Sequence, residues 1–184
     1  MKNLRLIIFI FIALAQLAVP VITVWGRIQT LKLGRVWKFK AAPADPEDPI
    51  RGRYVALRFS AEEFPQPSAL LTSGPVYALL RESPDGFAEI YQISATPVRG
   101  DNVVRVRPVG FWSGNQRVAF PFDQLWLSEK AAPNAEQAYR ENSRRGKENA
   151  YVTVRVRDGD AALEQLYINN QPLHDYLRAQ AAKK

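Results

Sequence analysis

The 184-residue chain contains no cysteine and only one histidine, and this scarcity limits the chemistry that it can support. Without cysteine there is no disulfide, no thiolate metal ligand and no cysteine nucleophile. The one histidine, His174, stands beside Asp175 near the C-terminus, and a metal site or a catalytic triad needs more than one such group. We therefore expect His174 to be an ordinary surface residue, and we expect neither a metal nor another cofactor.

Acidic residues are absent from the first 40 positions, while the chain as a whole carries 25 Lys+Arg, 18 Asp+Glu and a net charge of +7. The basic residues among the first 40 are Lys2, Arg5, Arg27, Lys32, Arg35, Lys38 and Lys40. These seven account for the whole excess, so the other 144 residues are neutral. A neutral body lacks the clustered cations that a phosphate backbone requires, and nucleic acid is not an expected partner.

A long apolar run is the clearest feature of the sequence, reading LIIFIFIALAQLAVPVITVW from Leu6 to Trp25. As a helix, twenty residues rise about 30 Å, which matches the hydrocarbon thickness of a bilayer. We predict a transmembrane anchor over residues 1–26, with the lipid bilayer as partner, followed by a body over residues 27–184. The alternative is a cleaved signal peptide, because Ala13-Leu14-Ala15 offers a small-x-small site. The residues expected to form the membrane anchor are Leu6, Phe9, Phe11, Leu14, Leu17, Val21 and Trp25.

Charge alone leaves the orientation of this anchor open. Two cations precede the run and five follow within the next fifteen residues, so the positive-inside rule would place the body in the cytoplasm. However, residues 28–41 alternate apolar and polar on both sides of Gly34 and predict a β-hairpin, and the rule is weakest for charges inside a folded domain. The alternative places the N-terminus inside and the body in an extracytoplasmic space.

The body reads as short strands separated by turns, which predicts a mainly β barrel or sandwich with one α-helix. The helix is expected from Asn134, as N-cap, to about Arg145, with Gly146 as its stop. Residues from His174 onward are expected to form a frayed tail or a short helix. The strands are expected at Arg53–Phe59, Val76–Arg81, Phe87–Ala95, Asn102–Val109, Arg117–Phe122, Tyr151–Arg157 and Leu163–Ile168.

Two groups of side chains carry expectations about burial. Paired carboxylates such as Glu62-Glu63 fall near turns, where solvated turn formers are the ordinary explanation. The stretch from Phe120 to Trp126 is rich in aromatic residues, and we expect Phe122 and Trp126 to be buried against the helix near Asn134. No arrangement of nucleophile and base is recognisable, so the sequence does not indicate an enzyme.

Three segments resemble the bacterial GDYXXLXY family. In the first, Gly52, Tyr54 and Leu57 match the motif that names the family, whereas Arg53 replaces its Asp and Phe59 replaces its final Tyr. The preceding Pro43-x-Asp45-Pro46 and Arg51 are similar to the family's approach to the motif. The second segment, residues 120–131, is an aromatic stretch that includes Glu129. The third, residues 166–173, is similar to the family's closing strand, with Asn170 where a Gly is usual.

The resemblance implies a bacterial inner-membrane protein that crosses once, with a cytoplasmic N-terminus and an extracytoplasmic, periplasmic β-rich domain. It also implies an accessory or interaction role beside a polytopic membrane protein, and it supplies no established activity. The alternatives are a membrane-proximal hydrolase and an envelope protein that binds a small ligand or glycan. The residues expected at a motif or interaction site are Asp45, Pro46, Arg51, Gly52, Arg53, Tyr54, Leu57, Phe59 and Glu129.

We consider two roles for the charges of this site. Either Arg51 or Arg53 pairs with Glu129, Asp45 or Asp48 in a structural clasp, or the arginines and Tyr54 are exposed and contact a partner. The clasp is favoured, because loop charges beside a Gly-containing turn more often organise the turn than bind a ligand.

Overall fold

The computed structural model describes residues 2–42, 54–65, 74–112, 114–128, 132–143 and 149–182. Its first element is a long helix, α1 (Lys2–Leu33). From Ile7 to Ile28 every side chain except that of Ala13 is exposed, so this part of α1 stands clear of the body. The segment from Ile7 to Leu33 is long and apolar enough to span a membrane. Only the last turn of α1 packs on the body, where Thr30 is buried.

The predicted hairpin over residues 28–41 is wrong. Residues 28–33 continue α1, and only residues 35–42 form a strand. The spacing from Ile28 to Leu31 is three residues, which suits a helix better than a strand. Moreover, extending an existing helix avoids the unfavourable nucleation step that a separate element would require. As a result, the helix enters the body directly, with Gly34 as the only residue between α1 and the first strand.

Within the described residues, the strands of the body form two five-stranded antiparallel sheets and one strand pair. The first sheet has the order β12-β11-β10-β1-β3, the second has the order β4-β8-β7-β5-β6, and β2 pairs with β9. The strands are β1 (Arg35–Ala42), β2 (Tyr54–Ala56), β3 (Arg58–Phe59), β4 (Glu63–Pro65), β5 (Val76–Glu82), β6 (Ala88–Ser94), β7 (Val103–Trp112), β8 (Asn115–Ala119), β9 (Gln124–Trp126), β10 (Ala150–Arg157), β11 (Asp160–Ile168) and β12 (Gln171–Pro172). A 3₁₀ turn, Ser60–Glu62, connects β3 to β4.

The two large sheets join into a nearly closed barrel. Val104 of β7 forms an isolated parallel bridge with Gly159 at the β10–β11 turn, and the amide of Arg105 donates to the Gly159 carbonyl at 2.8 Å. Close by, the indole Nε1 of Trp37 donates to the carbonyl of Asp101 at 2.8 Å. These bonds fix the first sheet to the second, and the predicted mainly β fold is confirmed.

Two helices complete the body, α2 (Ala132–Asn142) and α3 (Leu173–Ala181). The predicted helix is present as α2, but it begins two residues earlier than expected, so Asn134 lies in its first turn and is not its N-cap. The expected stop at Gly146 lies outside the described residues. Of the two expectations for the C-terminal residues, the short helix is confirmed as α3.

The turn between β11 and β12 explains a departure from the family pattern. Asn169 and Asn170 have φ angles of 52° and 61°, and they connect the paired residues Ile168 and Gln171. Positive φ at both central residues is typical of a two-residue hairpin turn, and asparagine tolerates it better than other non-glycine residues. Asn170 therefore substitutes for the usual glycine with little strain.

We expect Gly34→Ala to destabilise the body by about 1–3 kcal/mol, because the added methyl group would overlap backbone atoms. A Cβ at this position would lie 2.5 Å from the carbonyl oxygen of Thr30 and 3.0 Å from that of Val156. The measurement is thermal unfolding of the full chain in mild detergent, monitored by near-ultraviolet circular dichroism.

Gly26→Ala is the matched control, since a Cβ there would meet no atom within 4 Å. Alanine favours a helix over glycine, so this variant should unfold at or above the wild-type temperature. If Gly34→Ala unfolds at the same temperature as Gly26→Ala, the junction between α1 and β1 is not tightly packed.

Candidate functional site

The motif strand runs from Tyr54 to Phe59 and is divided into β2 and β3 at Leu57. The amide of Leu57 donates to the carbonyl of Asp123 at 2.8 Å, which holds the strand against the chain just before β9. Val55, Leu57 and Phe59 are at most 2% exposed, as their alternation predicts. The two motif positions with described side chains, Leu57 and Phe59, therefore serve the core.

Four phenylalanine rings surround the end of this strand. Phe39, Phe59, Phe120 and Phe122 are all buried, and their ring centroids lie 4.9–6.0 Å apart in the measured pairs. Most of these pairs meet edge to face, the arrangement that aromatic quadrupoles favour. The family motif and the aromatic stretch, about 60 residues apart in sequence, thus form one structural unit, the phenylalanine cluster.

Tyr139 of α2 fixes the outer end of the motif strand. Its hydroxyl accepts a hydrogen bond from the amide of Arg58 at 3.0 Å and lies 2.9 Å from the carbonyl oxygen of Ala42, to which it donates. Arg58 and Ala42 are partners in the β1–β3 pairing, so the hydroxyl closes the end of that ladder. Burial raises the pKa of Tyr139 to about 12, and the hydroxyl stays protonated at neutral pH.

Glu62 is a buried carboxylate directly after the motif strand, with its side chain 8% exposed. Its Oε1 accepts a hydrogen bond from the amide of Phe59 at 3.1 Å. Its Oε2 lies 3.5 Å from the guanidinium of Arg58 and 4.0 Å from that of Arg117 on β8. Arg58, Glu62 and Arg117 therefore form an ionic clasp between the motif segment and the second sheet. The expectation that Glu62 is solvated is wrong, whereas its neighbour Glu63 is exposed.

Loss of water dominates the electrostatics of this clasp. Burial raises the pKa of Glu62 from 4.5 to about 7, although the bond from the Phe59 amide and the charge of Arg58 act in the opposite direction. The two guanidiniums are 35% and 38% exposed, so water screens much of their attraction. Glu62 can therefore exchange a proton near neutral pH, but both of its oxygens already contact the protein.

Sequence reasoning missed both Glu62 and Tyr139, although it anticipated a clasp nearby. The residues expected to form that clasp, including Arg51, Arg53 and Glu129, lie outside the described part of the chain, as do Asp45, Asp48, Pro46 and Gly52. Tyr54 is described only through its backbone, which pairs with Trp126. The sequence did contain a signal for Glu62. Arg58 precedes it by four residues, a spacing at which an arginine and a glutamate can form an ion pair.

The prediction for the aromatic stretch is half right. Phe122 is buried at 4% exposure, but Trp126 is 66% exposed. Trp126 lies on β9, whose only pairing among the described strands is with β2, and it is the cross-strand partner of Tyr54. β2 and β9 form a short two-stranded pair, and the indole lies at the surface beside the motif.

An open cleft of about 670 Å³ lies at the beginning of the aromatic stretch. Its lining includes Phe120, Pro121 and Asp123 together with Arg105 and Arg107 of β7. Both arginines are exposed on the outer face of their strand, as the alternating pattern predicts. The cleft could accept the acidic or polar side chains of a larger molecule.

Within the described residues, no three His, Asp or Glu side chains lie together as a metal site requires. His174 is 61% exposed and lies 2.8 Å from Asp175, in agreement with a surface role. The described part of the site thus offers a buried clasp, an exposed tryptophan and an open polar cleft.

Comparisons with known proteins bear on the motif and on most of the chain. Searches of curated proteins and of solved structures gave no match. The model of the family described as GDYXXLXY protein matches residues 16–166, from the middle of α1 to within β11. This range includes the motif strand and the aromatic stretch, and the chain therefore belongs to the GDYXXLXY family.

Proposed function

We propose that this chain is a single-pass protein of the bacterial inner membrane whose extracytoplasmic body binds a polytopic membrane protein. The exposed side chain of Trp126 is the observation that carries the interaction role. Tryptophan is among the residues that contribute most to binding energy at protein interfaces, and one exposed to 66% beside a family motif suits such a contact.

The position of Trp126 along the sheet favours a protein over lipid as its partner. α1 joins β1 at Arg35, the first residue of that strand. The other end of β1, at Ala41 and Ala42, pairs with β3, and β3 follows β2 in the chain. Eight strand residues separate these ends by about 26 Å. Trp126, which pairs with β2, thus lies at the end of β1 opposite the point where α1 enters the body.

The junction of α1 and β1 supports a role that needs a fixed geometry. Because Gly34 is the only residue between helix and strand, the body cannot swing on a flexible linker. A tethered catalyst that acts on freely diffusing substrates gains nothing from this restraint. A fixed junction does help a domain that binds a partner protein at a constant distance from the same membrane.

The test is co-purification of the tagged full chain from its native membrane in mild detergent, with quantitative mass spectrometry of the integral membrane proteins retained. We expect Trp126→Ala to lower the amount of partner protein retained at least tenfold, as substitution of an interface hot spot would. Phe111→Ala is the control, since Phe111 is also exposed but lies on the β7–β8 hairpin. Equal retention by both variants would remove Trp126 from the interface.

Orientation is tested separately with fusions after Ala182, at the end of α3. If the body is extracytoplasmic, an alkaline phosphatase fusion is active and a fluorescent protein that matures only in the cytoplasm is dark. The reverse pair of results would place the body in the cytoplasm, as the count of flanking cations alone implies.

A further inference from the structure

The membrane-spanning part of α1 carries a polar group at its centre. Gln16 lies at the middle of the apolar run from Leu6 to Trp25, within about 1 Å of the bilayer midplane if the run spans it. Its side chain is exposed, and it belongs to the part of α1 that the body does not cover. In hydrocarbon an amide without a hydrogen-bond partner is strongly unfavourable, so Gln16 requires a partner within the membrane.

Pro20 leaves a second polar group without its usual hydrogen bond at the same depth, the backbone carbonyl of Gln16. In a helix the carbonyl of Gln16 would accept a bond from the amide of residue 20, but proline has no N–H. Lipid tails supply no donor at this depth, and a neighbouring helix is one of the groups that can satisfy a carbonyl freed by proline. By contrast, the hydroxyl of Thr23 is already satisfied, because it donates to the carbonyl of Val19 at 2.9 Å.

These groups share one face of the helix. At about 100° per residue, Ala13, Gln16, Pro20 and Thr23 fall within about 80° of one another around the helix axis. Ala13 is small and lets a second helix approach closely, as is common at helix contacts in membranes. The face thus combines a donor, a free acceptor and a small residue. The bulky residues Leu14, Val21 and Trp25 lie on the opposite side, whereas Phe9, about 10 Å from the midplane, shares the face.

We infer that a second copy of this chain covers this face, so that two α1 helices pair in parallel within the membrane. The inference rests on the proposed membrane anchoring. The donor and the acceptor belong to the same residue, so a two-fold axis places each Gln16 side-chain amide at the depth of the other copy's free Gln16 carbonyl. No other helix is guaranteed to present both groups at that depth.

Flanking charge opposes this pairing only weakly. By helical register Lys2 and Arg5 before the run and Arg27 after it all fall on this face, at the level of the headgroups, where water and anionic lipids screen like charges. The net charge of the body comes from the five cations between Arg27 and Lys40, and salt screens their repulsion beyond about 8 Å at physiological ionic strength.

The absence of cysteine from the chain makes the test direct. Ala13→Cys places a thiol on the proposed face, and Ala18→Cys places one on the opposite face at an equal distance from the midplane. The full-length variants are oxidised in native membranes with copper phenanthroline and separated on non-reducing gels. We expect a disulfide-linked dimer from Ala13→Cys at five times or more the yield from Ala18→Cys.

A second variant isolates the role of the amide. Gln16→Leu in the Ala13→Cys background keeps a side chain of similar size but removes its hydrogen bonds, and we expect a roughly tenfold fall in dimer formation. Unchanged cross-linking in this double variant, or equal cross-linking at the two cysteine positions, would overturn the pairing. A cross-linked band whose mass fits a different protein would also overturn it.

An alkaline wash of the same membranes distinguishes failure of the pairing from failure of the anchoring. If the chain stays in the washed pellet but Ala13→Cys forms no dimer, the pairing is wrong and the anchor stands. If the chain leaves the pellet, the proposed anchoring is wrong, and the inferred pairing falls with it.

Discussion

Replacing Phe39 with alanine is expected to lower the free energy of unfolding by about 3–5 kcal/mol. Phe39 is fully buried, and its ring contacts those of Phe59, Phe120 and Phe122 at centroid distances of 5.1–5.8 Å. The variant loses both the burial of the ring and its edge-to-face contacts, and it leaves a cavity among the remaining rings. Since domains are stable by only about 5–15 kcal/mol, this is a large fraction of the total.

The measurement is urea unfolding of the full chain in mild detergent, followed by near-ultraviolet circular dichroism, which reports on aromatic packing. Phe111→Ala is the control, because Phe111 is 40% exposed on the β7–β8 hairpin and should change stability by less than about 1 kcal/mol. Similar effects of the two substitutions would mean that the phenylalanine cluster is not the centre of the core.

Glu62→Gln is expected to stabilise the protein above pH 7 by up to about 3 kcal/mol and to remove part of its pH dependence. The pKa of Glu62 is about 7 in the folded protein and 4.5 without the fold, so between these values the folded state binds more protons than the unfolded state. Wild-type stability therefore falls as the pH rises from 4.5 to 7 and is level above that. Glutamine keeps an oxygen for the Phe59 amide but carries no charge to bury.

Glu63→Gln is the matched control for this experiment, because Glu63 is the next residue along the chain and its side chain is 59% exposed. Unfolding is measured for the wild type and both variants at pH 4.5, 5.5, 6.5 and 7.5. We expect the Glu63 variant to follow the wild-type profile and the Glu62 variant to deviate increasingly up to pH 7. Three parallel profiles would show that Glu62 titrates normally and that the clasp is open to water.

Strand alternation allowed much of the body to be predicted. Val55, Leu57 and Phe59 alternate with more polar neighbours, and burying one face of a strand requires this period. The same reasoning failed for residues 28–33. There the three-residue spacing of Ile28 and Leu31 already suited a helix better than a strand, and these residues continue α1.

The site was less predictable because its side chains are brought together by tertiary contacts. Nothing in the local sequence places Tyr139 against the amide of Arg58, 81 residues earlier. Arg117 likewise reaches Glu62 from β8, which lies 55 residues later in the chain. The exposure of Trp126 follows from the absence of a layer over β9 among the described elements, which an apolar residue type does not reveal.

The sequence by itself determined the apolar helix, the mainly β body and the family, because hydropathy, side-chain period and a motif are properties of neighbouring residues. Tertiary structure alone decided that the helix enters the sheet without a linker, that the motif strand belongs to the phenylalanine cluster and that one tryptophan faces outward. Each of these depends on which strands pair and what covers them, and distant parts of the chain settle that together when the core closes.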